Sequence, residues 1–131
     1  MFATPTNSVT ARDIALSVVG DNHSAGDEGY HDPDQVNWGF SDIAPSRFLS
    51  LMSEGTKEAW AEWFENECRM DEYDDLGQNW RELLTCSEDR LADVVVLKKG
   101  QCLYLWDGWH RMAAAIIRGL ESLPAVVGFP E

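Results

Sequence analysis

Five consecutive residues toward the C-terminal end of the sequence could do chemistry together: Asp107, Gly108, Trp109, His110 and Arg111. Asp107 brings a carboxylate, His110 a titratable imidazole, and Arg111 a planar guanidinium able to grip two oxygens of one anion. They stand where a strand-like run, LYLW, passes through Asp107-Gly108 into a helix-like run, WHRMAAAIIRG. A helix starting there leaves the N–H groups of its first turn without intrahelical partners, and the positive end of its dipole adds to their attraction for an anion. Gly108 has no side chain to shield them, so phosphate is the obvious anion. Arg118 follows about two turns further along a similar face. The same residues fit a second reading, in which Asp107 caps the helix, Trp109 packs inward and Arg111 pairs with a nearby carboxylate. Trp109 stays open between packing and stacking on a base.

The flanking pattern supplies the elements that must position these residues. The segment ADVVVLKKGQCLYLW predicts strands at 93–97 and 102–106, joined by a tight turn through Lys98-Lys99-Gly100-Gln101. The helix that follows carries an apolar stripe of Trp109, Met112, Ala113, Ile116, Ile117 and Leu120, three and four residues apart. Gly119 is a natural stop for it. Pro124 then opens a last strand with Ala125, Val126 and Val127.

The run VVVLKKGQCLYLWDGWHRMAAAIIRGLESLPAVVG resembles the C-terminal half of the ParB/sulfiredoxin-like domain, in which a strand hairpin leads into a G-x-x-R helix start, an alanine-rich helix, a glycine and a proline-led strand. The likeness covers about Asp93 to Gly128. ParB proteins have Gly-Glu-Arg-Arg at the motif and sulfiredoxins Gly-Cys-His-Arg; here it reads Gly108-Trp109-His110-Arg111. Gly108 and Arg111 match both groups and His110 matches the sulfiredoxins. In that superfamily the helix start binds nucleotide phosphates, so the resemblance implies a nucleoside triphosphate, ATP or CTP, held at Gly108, Trp109, His110 and Arg111, with hydrolysis or phosphate transfer as the associated chemistry. It further implies Asp107 and His110 as catalytic groups and Asp107 as the carboxylate nearest a Mg²⁺. Trp109 stands in place of the sulfiredoxin cysteine, and an indole cannot form a thiol-based intermediate, which excludes sulfiredoxin chemistry. The ParB glutamate after the glycine is missing too. No helix-turn-helix follows the motif before Glu131, and the acidic upstream half is unlike the basic first half of a ParB domain, so direct DNA binding is not expected.

Upstream, TARDIALSVVG fits a short helix or a strand. The stretch from Gly20 to Gly39 reads as a long polar loop rich in Gly, Asp and Asn, and its His23 and His31 lack any ligand spacing that would favour a metal site over a solvated acidic loop. A short helix is expected from Pro45, because proline suits the first helical turn. TKEAWAEWFENECRM predicts a helix capped by Thr56, with Trp60, Trp63, Phe64 and Cys68 to one side and Glu58, Glu62, Glu65 and Glu67 over the rest. DEYDDLG reads as a turn, and QNWRELLTC as a shorter helix with Trp80, Leu83 and Leu84 inward.

Charge separates the two parts of the chain. Of 23 Asp and Glu, 20 fall in residues 1–93 against 6 Lys and Arg, while residues 94–131 are nearly balanced, giving the net −13. Such a field repels phosphate backbones over about 8–10 Å and attracts basic surfaces. Solubility alone accounts for many acidic surfaces. An alternative function follows: an acidic, nucleic-acid-mimicking inhibitor or adaptor that presents the carboxylates between Asp71 and Asp93, or those of the 21–34 loop, to a basic nucleic-acid-binding protein. In size and charge the chain resembles small acidic proteins of phages and plasmids, anti-CRISPR proteins among them.

With 131 residues and 44% hydrophobic content, the chain suits one domain with a real core. No apolar run approaches the roughly 18–20 residues of a membrane span, and the N-terminus lacks the pattern of a signal peptide, so a cytoplasmic protein is expected. Cys68, Cys86 and Cys102 show neither disulfide nor zinc spacing and are expected as buried or half-buried thiols. The expected fold is α+β, a small mixed sheet with helices of ParB/sulfiredoxin-like type. One domain spans 1–131, with 1–92 acidic and rich in helix and loop, and 93–131 forming the hairpin–helix–strand unit.

Overall fold

The computed structural model describes residues 9–22 and 36–130. His23, His31 and most of the expected acidic loop therefore lie outside the described residues. The chain is mixed α/β, and its contacts divide it into two compact units that interleave along the sequence. One takes residues 1–43, 93–108 and 124–131; the other takes 44–92 and 109–123.

The first unit is built on a four-stranded mixed sheet. Its strands are β1 (Val36–Ile43), β2 (Val94–Lys99), β3 (Cys102–Asp107) and β4 (Leu123–Pro130), in the order β1-β4-β2-β3. β2 and β3 form the expected antiparallel hairpin, with Lys99 opposite Cys102 and Leu97 opposite Tyr104. Gly100, at φ +61°, supplies the first linking position of this two-residue turn, a conformation that glycine adopts without steric cost. β2 runs parallel to β4, pairing Val94 with Ala125 through Leu97 with Gly128. Val94 to Leu97 and Ala125 to Val127 are all buried, the near-continuous apolar run of interior strands.

Helix α1 (Val9–Asn22) resolves the open reading of TARDIALSVVG in favour of helix. Its Ala11 and Ala15, one turn apart, join Val36, Trp38, Val95, Leu97, Trp106 and Val126 in one core. Small side chains on that face let the helix approach the strands closely. β1 is an element that the composition of 20–39 hid. Asn37 and Gly39 suggest a loop, but Val36 and Trp38 alternate into the core, and the period of two prevails over the turn-forming residues between them. The portion before residue 93, expected to be helix and loop, thus contributes a strand to the sheet.

The second unit is helical. Pro45–Leu51 form a 3₁₀ turn that buries Phe48. Helix α2 (Lys57–Tyr73) begins as expected at Thr56, whose Oγ1 accepts the Ala59 N–H at 3.1 Å. Trp60, Phe64, Cys68 and Asp71 are its buried residues, each three or four positions after the last. α2 continues three residues into the stretch expected to be a turn, because Asp71 points inward and anchors the chain beyond it. Trp80–Leu84 and Glu88–Leu91 are single 3₁₀ turns, the first replacing the short α-helix expected there. Helix α3 (Trp109–Ile117) buries every residue from Met112 to Ile116, so it is apolar around most of its circumference rather than along one stripe. It stops as expected at Gly119, φ +71°, with Gly119 N–H on the Ile116 carbonyl and Leu120 N–H on the Ala115 carbonyl. Among the described residues, no helix is long and apolar enough to cross a membrane.

Candidate functional site: the start of α3 and its aromatic surround

Asp107 closes β3 opposite Val95, after a bulge that interrupts the register between Val95 and Val96. Gly108 follows at φ +94°, a conformation that L side chains rarely adopt, and α3 begins at the next residue. The strand–glycine–helix order read from DGWHR is therefore present. The contact division assigns Asp107 and Gly108 to the sheet unit, and Trp109, His110 and Arg111 to the helical unit.

In the helical unit each of the three side chains has a defined partner. The Trp109 indole stacks on Trp60, centroids 5.5 Å apart and planes 22° from parallel, and lies 6.3 Å from Trp63. Its neighbour in the structure is thus a protein ring, and the half-buried indole packs on α2. His110 lies flat on Trp80, with centroids 3.7 Å apart and an interplanar angle of 2°, while Trp63 approaches to 5.0 Å. Glu67 meets His110 Nε2 at 2.9 Å, and both side chains are only partly exposed. Trp60, whose Nε1 donates to the Leu49 carbonyl at 3.3 Å, forms the buried floor of this aromatic group.

Arg111 Nη1 donates to the Ala92 carbonyl at 2.8 Å, tying the first turn of α3 to the end of the Glu88–Leu91 turn. Arg118 Nη1 makes the corresponding bond to the Leu83 carbonyl at 3.0 Å. Both arginines thus hold backbone of the 3₁₀ turns, a use that the sequence pattern did not indicate.

A second charged group lies between α2 and the Trp80–Leu84 turn. Arg81 forks onto two carboxylates, Glu65 at 2.9 Å and Glu72 at 2.7 Å, and these bonds hold both acids below the usual carboxylate range while raising the guanidinium further above its own. Burial pushes the Cys68 thiol up, so it stays protonated. Asp71, 5% exposed, accepts the backbone N–H of Gln78 and of Asn79, each at 2.9 Å. Cys68 and Cys86 are buried and half-buried as expected, but Cys102 is exposed, because its place at the start of β3 is beside the hairpin turn.

Glu67, Trp80 and Trp63 are the site residues that sequence reasoning did not connect to His110. Glu67 is 43 positions away, and its place on α2 looks like that of any solvated glutamate. Among the described residues, no three His, Cys, Asp or Glu side chains come together in a way that could hold a metal ion. A single carboxylate, Asp107, is too few ligands for a Mg²⁺ held by protein groups only. Compared with known proteins, the chain matches no family model, no curated protein and no solved structure.

Proposed function

We propose that the chain binds the phosphates of a nucleoside triphosphate, ATP or CTP, at the start of α3. The observation that carries this reading is the backbone: Gly108 at φ +94° leads directly into a helix whose first turn contains no acidic residue, in a chain of net charge −13. The N–H groups of that turn supply the donors, and the helix dipole supplies the charge preference. The likeness of Gly108-Trp109-His110-Arg111 to the ParB/sulfiredoxin-like motif supports the same place and the same ligand class.

The side chains divide the work. Arg111, fixed through one nitrogen by the Ala92 carbonyl, is a cation whose stem is already ordered before a ligand arrives. His110 has Nε2 committed to Glu67, which leaves Nδ1 as the nitrogen for a phosphate oxygen. Trp80 fixes the plane of the ring. Trp109, engaged by Trp60, contributes backbone rather than an indole platform. In this reading any proton transfer to or from a phosphate falls to His110 and Asp107, the two titratable groups that flank Gly108 and Trp109 in the motif.

Thermal unfolding of the wild type and of Arg111→Ala, with ATP, CTP, GTP or inorganic triphosphate and with or without Mg²⁺, tests this. A ligand at about 100 times its dissociation constant adds about 2.7 kcal/mol, a shift of several degrees for a chain of this size. Arg111→Ala also loses its bond to Ala92, so each protein is compared with its own unliganded midpoint. A nucleotide-selective shift in the wild type that disappears in the variant supports the proposal. Equal shifts in both proteins contradict it.

A further inference from the structure

α2 ends in the run Met70-Asp71-Glu72-Tyr73-Asp74-Asp75-Leu76, and three large apolar side chains in it stand in solvent. Tyr73 is 91% exposed, Leu76 58% and Met70 56%. Single exposed apolar side chains are ordinary, but three within seven residues at one end of a helix are a surface.

That surface is held firmly. Asp74 N–H donates to the Met70 carbonyl and Leu76 N–H to the Asp71 carbonyl, both at 3.0 Å. The buried Asp71 carboxylate ties down Gln78 and Asn79, and Arg81 braces Glu72 against Glu65. Two non-glycine residues, Asp75 at φ 53° and Asn79 at φ 57°, adopt the left-handed conformation to complete the turn. A buried carboxylate and a forked arginine thus order a turn whose apolar groups remain uncovered. An ordered, uncovered patch loses little entropy on binding.

Charge identifies what covers it. Residues 70–80 carry Asp71, Glu72, Asp74 and Asp75 and no Lys or Arg. No basic residue occupies the last turn of α2, so the negative end of the helix dipole adds to the same field. The cations that flank it along the chain are already paired: Arg69 with Glu65 at 3.4 Å, and Arg81 with both Glu65 and Glu72. Anionic lipid and nucleic acid are repelled, and a second copy of the same face brings like charges together. We propose that the end of α2, centred on Tyr73, docks a basic protein surface in which an apolar pocket takes the Tyr73 ring and flanking Lys or Arg side chains pair with Asp74 and Asp75. The surface is independent of the phosphate site at α3.

Fluorescence anisotropy with a labelled amphipathic Lys–Leu helical peptide, against an oligolysine of equal charge, tests the proposal on the full chain. Two double variants separate the contributions: Tyr73→Ala with Leu76→Ser removes apolar area, and Asp74→Asn with Asp75→Asn removes charge. All four side chains are solvent-facing, and unchanged unfolding midpoints confirm the fold. The expected result is that the Lys–Leu peptide binds the wild type better than oligolysine does, that each double variant weakens it about tenfold or more, and that added salt weakens it further. Equal binding of the two peptides, indifference to the Tyr73 variant, or no binding overturns the proposal. So does self-association of the wild type through Tyr73 in sedimentation velocity, which would make a second copy the occupant.

Discussion

The imidazole of His110 lies parallel to the indole of Trp80 at 3.7 Å, while Glu67 meets its Nε2 at 2.9 Å. One side chain at the start of α3 is thereby fixed by two others, from α2 and from the Trp80–Leu84 turn. A double-mutant cycle across Trp80→Leu and His110→Leu, read by chemical denaturation, should give a coupling of about 0.5–1.5 kcal/mol. Additive single effects would mean that the two rings are neighbours without mutual stabilisation.

Gly128 pairs with Leu97 across β4 and β2, and its missing side chain makes room for Trp38. A Cβ there would fall 2.5 Å from the Trp38 ring and 2.7 Å from Val36 Cγ1. Neither neighbour can retreat, because both are buried in the core that α1 covers. Gly128→Ala should therefore destabilise the chain by about 1–3 kcal/mol. An unchanged unfolding midpoint would show that Trp38 repacks freely.

The Arg81 fork predicts a specific pH dependence. Glu65 and Glu72 are held below their ordinary value of 4.5 chiefly by their hydrogen bonds to Arg81. A carboxylate with a depressed folded-state pKa contributes stability that is fully present above its unfolded value and is lost as pH falls through the folded value. Wild-type stability should thus decline below about pH 4.5 more steeply than that of Arg81→Gln, and the two curves should converge in strong acid. Parallel curves would assign the fork no net role.

The three thiols should separate by reactivity. Cys102 is exposed and should react at once with a neutral disulfide reagent, Cys86 more slowly, and Cys68 only on unfolding, because burial both hides it and raises its pKa. Prompt labelling of Cys68 in the native protein would show that α2 opens locally.

Much of the arrangement around the motif was legible because local signals agreed there. Val94 to Leu97, the Gly100 turn, Gly119 and the alanine-rich helix each follow from chain-local chemistry, and they fall where the pattern placed them. β1 was hidden because Asn37 and Gly39 carry loop signals, and only pairing with β4 turns Val36 and Trp38 into a strand. Asp71 was read as part of a turn and Glu67 as part of the polar side of its helix, since nothing local distinguishes a carboxylate that clamps two distant N–H groups, or holds a histidine 43 positions away, from one that faces water. The bonds of Arg111 and Arg118 to carbonyls of the 3₁₀ turns were illegible for the same reason.

On the proposed reading, phosphate meets the backbone at the start of α3. Amide ¹H–¹⁵N spectra recorded while ATP, CTP or inorganic triphosphate is added to the wild type test it most directly. The Gly108, Trp109, His110 and Arg111 amides should shift first and furthest, with a nucleotide saturating at lower concentration than triphosphate. Shifts confined to other residues, or none at all at millimolar nucleotide, would contradict it and leave the start of α3 as a helix terminus held by Glu67, Trp80 and Ala92.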